Sequence, residues 1–534
     1  MNKKKNYMRF FSLPGFSIIV LIMFLSSCKN YMNDTKTLKG HILDAGTGEP
    51  LAATVSVYAG NGLPLNIDNA DEYVSYLGKK RWYVDKEFMV TTEEDSIILE
   101  IRHGFETIPV QQTISFRDSS NREMVFKLNR WTNMAEKGYY CGDTHVHYLT
   151  PGTAHLQMRA EDLHVVNILT SDFTNDREKF TGDLDKVSTG EHFVYVGQEL
   201  RDWQMGHLSL LRLRKIVEPY QPYGGYLFDI AHHPNFLLSP RLRLAKSQNA
   251  ATVWSHFSNL PGFESAIAFP LGLIDAVELI TYDDPIQLPS HWFPWDFSGM
   301  SQVEFPAMRG MDLYYQYLNS GFKLPITAGT DKMGNDIPVG SNRHYIPLKG
   351  EATYDKWIEG LRSGTGFVTN APMLTFTVDN ALPGETILFR GDKTVKVRVE
   401  ARSLLPFAKI DIIANGKLVS WKYLTDYGNK RDVYSLELEA EITLSQSTWI
   451  AGRVISPDTR EMLPRNLTVF AHSNPIYLLK DGRSVHVENS IEYLRKYQHA
   501  ARTWIVNNSE FTTESERKEA LDYLNSAEQV LSKK

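Results

Sequence analysis

Residues 140–147 read YCGDTHVH. An apolar-aromatic run ends there on two histidines one residue apart, His145 and His147. Side chains at i and i+2 of a strand share a face, so both imidazoles can turn towards one point where the strand ends. An isolated H-x-H also arises where a strand simply runs out into solvent. Its meaning therefore depends on what the other strand ends carry.

Those ends repeat the pattern. VVNILTSD finishes on Asp172, FVYVGQE on Glu199, ATVWSH on His256 and LPITAGTD on Asp331. Nine of the sixteen histidines fall between His145 and His256, which crowds ligand-type residues into the same region. In a parallel α/β barrel the C-terminal strand ends converge on one face, where active sites are built. Gathering so many unpaired polar groups there is costly unless a metal or solvent satisfies them. The pattern reads as a metal centre, and a histidine-carboxylate set suits Zn, Mn or Fe better than calcium.

The bulk properties bound the rest. A chain of 534 residues implies about three domains. Hydrophobic residues make up 42% and charged residues 22%, the composition of a folded globular protein. The formal net charge of −6 lacks the basic footprint that phosphate-backbone contacts need, which excludes nucleic acid as a partner.

The N-terminus is an address. MNKKKNYMR is basic, and FFSLPGFSIIVLIMFLSSC follows as an apolar stretch interrupted by Pro14 and Gly15. Its unbroken part is short for a membrane span, which favours an export signal. LSSC resembles a bacterial lipobox, so residues 1–28 are expected to be a lipoprotein signal with Cys28 the lipidated residue. That anchor would hold the exported protein on a bacterial membrane. Cys141 is then the one cysteine left, a core thiol with no disulfide partner.

Residues 29–37 read as a tether. Over 38–131 short alternating runs and turn residues predict a β-sandwich. Strand-like and helix-like runs alternate over 138–370, as in an α/β barrel. Alternation returns over 371–475 and predicts a second β-sandwich. Residues 476–534 form a helical tail, with TESE at 513–516 fitting a capping box. No G-x-S-x-G elbow supports serine catalysis.

Two resemblances sharpen this reading. GHILDAGTGEPL, at 40–51, resembles the opening of carboxypeptidase-regulatory-like β-sandwiches. GDTHVH, RAEDLHVVNILTSD, VGQE, GHLSLLRL, GLIDAVELI, TAGTDKMGN, VGSNRHYI and GFVTNAP follow one another as in the CehA/McbA family of metallohydrolases. That family belongs to the PHP (polymerase and histidinol phosphatase) superfamily. The resemblance implies a multidomain protein with a distorted PHP-like barrel, flanked by two β-sandwich modules and a helical C-terminal tail. It implies a divalent transition metal, one or two ions of Zn, Mn or Fe. The activity implied is hydrolysis of an ester, carbamate or phosphoester bond in a small molecule, through a water activated by the metal.

Carried over by motif, the metal ligands are His145, His147, Asp172, Glu199, His207, His256 and Asp331. His232 and His233 in GYLFDIAHHPN compete with His256 for its place. Asp172 stands either in the slot of a histidine or beside Phe173, which then replaces it. Met333 replaces the histidine of a D-x-H motif. The candidate proton donors are His155, His232 and His233. The two lost imidazoles leave open a second reading, a degenerate accessory or glycan-binding lipoprotein, with SHWFPWDF at 290–297 as its aromatic stretch.

Overall fold

The computed structural model describes residues 35–76, 78–202, 204–220, 234–257, 262–280, 306–425, 433–456 and 468–534. Residues 1–28, read from the sequence as an export signal ending on Cys28, together with His232, His233 and the aromatic stretch 290–297, lie outside these residues. Over the described residues the chain is multidomain and strand-rich, with several sheets and few helices. None of those helices is long and apolar enough to cross a membrane.

Period-two burial builds the N-terminal module. In Glu87–Thr92 and Ser96–Arg102 every second side chain is buried, so each strand lays one face on a core. One sheet joins Glu87–Thr92, Lys36–Asp44 and Asn121–Leu128. A second joins Tyr73–Tyr76, Lys79–Val84, Ala53–Ala59, Ser96–Arg102 and Val110–Ser115. Leu38, Ile42 and Phe88 of the first share a core with Val55, Leu99 and Ile101 of the second. The AGTGEP turn is held by Asp44, whose Oδ1 accepts from the N–H of Gly46 at 2.8 Å and of Thr47 at 2.9 Å.

The central strands are buried along nearly their whole length, including all of Val165–Thr170 and all of Gly206–Leu211. Burial on both faces is why they read as continuous apolar runs. Their hydrogen-bonded order is Ile326–Ala328, Ala276–Ile280, Ala251–Trp254, Gly206–Leu211, Phe193–Asp202, Val165–Thr170, Tyr139–Val146. Neighbours are parallel except around Gly206–Leu211, which is antiparallel to both of its partners. The two ends of this series meet. The His147 N–H donates to the Lys332 carbonyl at 3.0 Å, and Thr144 Oγ1 donates to the Ala328 carbonyl at 3.0 Å.

On its other side Tyr139–Val146 pairs with Arg343–Pro347, and that strand with Phe367–Thr369. Phe367–Thr369 also pairs with Val469–Ser473, so a single ladder runs across residue 370 into the C-terminal strands. A separate sheet of Met373–Val378, Lys393–Ser403 and Tyr434–Leu444 covers them. The helix Tyr354–Arg362 buries Trp357 against the first strand, its indole N–H donating to the Tyr140 carbonyl at 3.1 Å. Gly142 makes this approach possible, since a Cβ there would lie 2.6 Å from the Trp357 ring.

The tail opens with a strand, Ile476–Lys480, paired with Thr386–Phe389 and Thr448–Ser456. Two helices follow, Glu488–Asn507 and Glu514–Leu531. The second carries the capping box: Thr513 Oγ1 accepts from the Glu516 N–H at 3.2 Å, and Glu516 Oε2 accepts from the Thr513 N–H at 3.3 Å. Ile491, Leu494, Tyr497 and Leu524 pack into the same core as Leu313, Tyr317 and Ala266 of the central domain.

A buried ionic cluster joins the N-terminal module to the central domain. Arg130 forks onto both oxygens of Asp162, one at 2.9 Å, and His103 Nε2 stands 3.1 Å from Asp162 Oδ1. Burial opposes ionisation of Asp162, but His103 and the Arg130 guanidinium outweigh it and hold the carboxyl well below its usual range. A carboxylate depressed in the folded state stabilises the fold above its unfolded pKa, about 3.9, and loses that contribution as the pH falls through its folded value. Asp162→Asn is therefore expected to destabilise the protein at pH 7, with the gap to wild type closing below about pH 4. Urea denaturation across pH 3 to 7 reads the gap, and a gap independent of pH would remove the ionic account.

Candidate metal centre

The strand ends deliver their polar residues to one mouth. His145 lies at the end of Tyr139–Val146, with His147 just beyond. Glu199 sits in Phe193–Asp202, His256 follows Ala251–Trp254 and Asp331 follows Ile326–Ala328. His207 stands near the start of Gly206–Leu211. Because that strand alone is antiparallel, its N-terminal end reaches the mouth that the C-terminal ends of the others form.

The local backbone is bent to this purpose. His256 and Asp331 both adopt positive φ, 31° and 49°, a conformation that costs non-glycine residues roughly 1–3 kcal/mol and clusters at functional sites. The buried carboxylate of Asp143 fixes the loops. Its Oδ1 accepts from the N–H of His145 at 3.0 Å and of Thr330 at 2.9 Å, and its Oδ2 from that of Gly340 at 2.8 Å. Burial pushes Asp143 up to about 6, against the pull of these donors. Gly329 admits the close approach, since a Cβ there would lie 2.6 Å from both Glu278 Oε1 and His145 Cβ.

Six side chains converge in two sets, His145, His147 and Asp331 on one side and Glu199, His207 and His256 on the other. His145 Nε2 is 2.9 Å from His147 Nε2 and 3.4 Å from Asp331 Oδ1. His207 Nδ1 is 2.9 Å from His256 Nε2. Glu199 lies between the sets, with Oε2 3.3 Å from His147 Nε2 and Oε1 3.6 Å from His145 Nε2, 3.4 Å from His207 Nδ1 and 3.8 Å from His256 Nε2.

Donor atoms about 2.0–2.1 Å from one ion stand about 3.0–3.4 Å from each other, so these separations fit the edges of coordination polyhedra. The tautomers agree. His147 Nδ1 faces the Leu169 carbonyl at 2.9 Å, which can only accept, so Nδ1 carries the proton. His145 Nδ1 faces Glu278 Oε2 at 3.1 Å and is likewise a donor. In the neutral rings both Nε2 atoms are then lone pairs pointed at each other, an arrangement that needs a cation or a proton between them. Glu199 Oε2 and His256 Nδ1 are buried without a hydrogen bond among the described residues. Two carboxylates and four imidazoles suit one or two divalent transition-metal ions.

Without an ion, protons take up part of that role. Burial disfavours a charged ring at His145, yet the carboxylates of Glu278, Asp331 and Glu199 outweigh it and raise it to about 10. Burial and the neighbouring Arg201 cation lower His207 to about 3. Burial would raise Glu199, but Arg201 and the imidazoles around it hold its carboxyl well below the usual range.

Of the seven residues read from the sequence as ligands, the structure thus gathers His145, His147, Glu199, His207, His256 and Asp331. Asp172 belongs to neither set. Its Oδ1 accepts from Ser171 Oγ at 3.1 Å, and burial raises its carboxyl against the pull of Arg201. Phe173 packs its ring edge-on to His147 with centroids 4.9 Å apart. His155 pairs with Thr189 Oγ1 at 3.1 Å and neighbours His192, and it too belongs to neither set. Glu278 escaped the sequence reading although it is fully buried and binds His145, Thr144 and the His256 N–H. Its signal was a single acid inside the apolar run AVELI.

No protein-family model and no curated protein matches this chain. Among solved structures, one similar chain is a two-domain protein from Bacteroides vulgatus ATCC 8482 containing a predicted PHP-like metal-dependent phosphoesterase. The two share 11% identity and a TM-score of 0.30 over 62% of this chain and 96% of that one. So slight a likeness adds nothing to what the side chains say about the chemistry.

Two outcomes follow from the geometry. Glu278→Gln should weaken affinity for a divalent metal about 10–100-fold, the usual cost of losing the partner that orients a ligand imidazole; unchanged affinity would deny Glu278 that role. Metal uptake at neutral pH should release protons, with apparent affinity rising as the pH climbs towards about 10, because the ion displaces the His145 proton. Calorimetry in two buffers of different ionisation enthalpy measures the release, and proton-free uptake would show that His145 carries no proton for the metal to displace.

Proposed function

We propose that this chain is an exported, lipid-anchored metal-dependent hydrolase with a PHP-like barrel of the CehA/McbA type. One observation carries the reading: a buried carboxylate, Glu199, lies between two ligand sets, with the Nε2 atoms of His145 and His147 turned towards each other beside it. The resident ion or ions would supply Lewis acidity and lower the pKa of a water from about 15.7 towards about 7, which suits attack on an ester, carbamate or phosphoester.

The chain's own residues do the rest. His145, His147 and Asp331 would hold one side of the centre, His207 and His256 the other, with Glu199 common to both. Glu278 keeps the His145 lone pair aimed inward. Asp143 keeps the loop that bears Asp331 against the strand that bears His145. Cys28, for its part, would tether the protein to a membrane.

Metal analysis with a panel of aryl esters, carbamates and phosphoesters tests the reading. The expected result is bound Zn, Mn or Fe and turnover that Glu199→Gln lowers by more than about 100-fold, beyond the usual cost of losing an orienting partner. Stoichiometric metal without turnover of any panel member would favour the accessory reading. Unchanged metal content in His145→Ala/His147→Ala would end the assignment of the centre.

A further inference from the structure

Arg201 stands beside the centre without belonging to the ligand sets. It lies two residues beyond Glu199 on the same strand and directly across from His207, so all three share one face of the sheet. Its Nε is 3.5 Å from Glu199 Oε2, and its guanidinium carbon sits 4.1 Å over the Phe173 ring. The Phe173 ring in turn abuts His147 and Tyr148, at centroid distances of 4.9 and 5.9 Å. The Arg201 side chain is 15% exposed against 2% for Glu199, which places it between the buried centre and solvent. Tyr148 is 45% exposed and is held at φ 61°, an unusual conformation for an aromatic residue.

We propose that Arg201, held flat on Phe173 next to Glu199, is the residue by which this site selects an anionic substrate, binding a phosphoryl or carboxylate oxygen beside the bond to be cut. The inference rests on the metal-hydrolase reading for its location and names the charge of the substrate. A guanidinium offers a rigid fork of donors matched to such oxygens, and stacking on an aromatic face fixes that fork in advance. Phe173 thus has a use of its own in the slot where the family motif carries an imidazole. It is the platform that presents the cation, and the exposed Tyr148 ring packs edge-on to it.

Inorganic phosphate is the probe, titrated by calorimetry into the full chain with and without its metal. Wild type should bind phosphate, and Arg201→Met should weaken that binding about 10–100-fold, the size expected for hydrogen bonds to a charged group. Arg201→Lys, which keeps the charge and loses the fork, should fall between. In parallel, the ratio of kcat/KM for an aryl phosphate to that for a neutral aryl ester should drop by a similar factor in Arg201→Met.

Metal content is measured on each variant. Phosphate binding that is absent in wild type, or equal in wild type and Arg201→Met, would overturn the proposal. So would loss of metal in Arg201→Met, which would make Arg201 a countercharge for Glu199. Arg201-dependent phosphate binding in a protein that hydrolyses nothing would uphold the anion site and sink the hydrolase reading.

Discussion

Glu199 is the constraint on which the rest of the structure depends. A carboxylate with almost no exposure is expensive to bury unless positive charge surrounds it. The Arg201 guanidinium and the ring nitrogens of four histidines stand around it here. Arg201 shares the strand of Glu199, and the imidazoles come from Tyr139–Val146, Gly206–Leu211 and Ala251–Trp254 or the residues just beyond them, so satisfying this one group fixes how four strands sit relative to one another. The same convergence makes the protein suited to holding a divalent ion, because charge neutralised by protons in its absence can be neutralised more fully by metal.

The fold solves a directional problem at that mouth. A parallel series of strands presents only C-terminal ends on one side, and a residue near a strand start would ordinarily be lost to the far side. Reversing Gly206–Leu211 brings His207 to the mouth, opposite Arg201 in register. The ends of the series then meet through His147 and Lys332, so Asp331 arrives beside the histidines of the first strand. Behind the ligands, Glu278 and Asp143 hold side chains and loops in place through hydrogen bonds to His145, His256, Thr330 and Gly340. The positive φ angles of His256 and Asp331 are tolerated because those contacts over-determine them.

The flanking parts are joined to this domain and do not hang from it. The Arg130–Asp162 fork binds the N-terminal module at the end of the first central helix. The C-terminal strands share a ladder with the central ones through Phe367–Thr369 and Val469–Ser473. The tail helices supply the apolar cover that the helix Pro306–Asn319 would otherwise lack.

Much of this was legible in the sequence, and the limits are physical. Apolar runs ending on His145, His147, His256 and Asp331 mark strand ends, because burial on both faces forces continuous hydrophobicity and a polar residue ends it, whereas the run ending on Glu199 continues as strand to Asp202 by pairing with Gly206–Leu211. His207 came only from a motif resemblance, since a histidine opening an antiparallel strand follows no such rule. The turn at Asp44 and the capping box at Thr513 are local hydrogen-bond patterns written within four residues, so they were readable outright. Glu278 was not, since one acid in an apolar strand acquires its purpose only when His145, distant in sequence, packs against it. Asp172 ends its strand as the others do, yet it belongs to neither ligand set. The sequence by itself determined where most of the apolar strands lie and which turns close locally. Tertiary structure alone decided which strand ends meet, because strand direction, sheet closure and the burial of Glu199 are set by contacts between residues far apart in the chain.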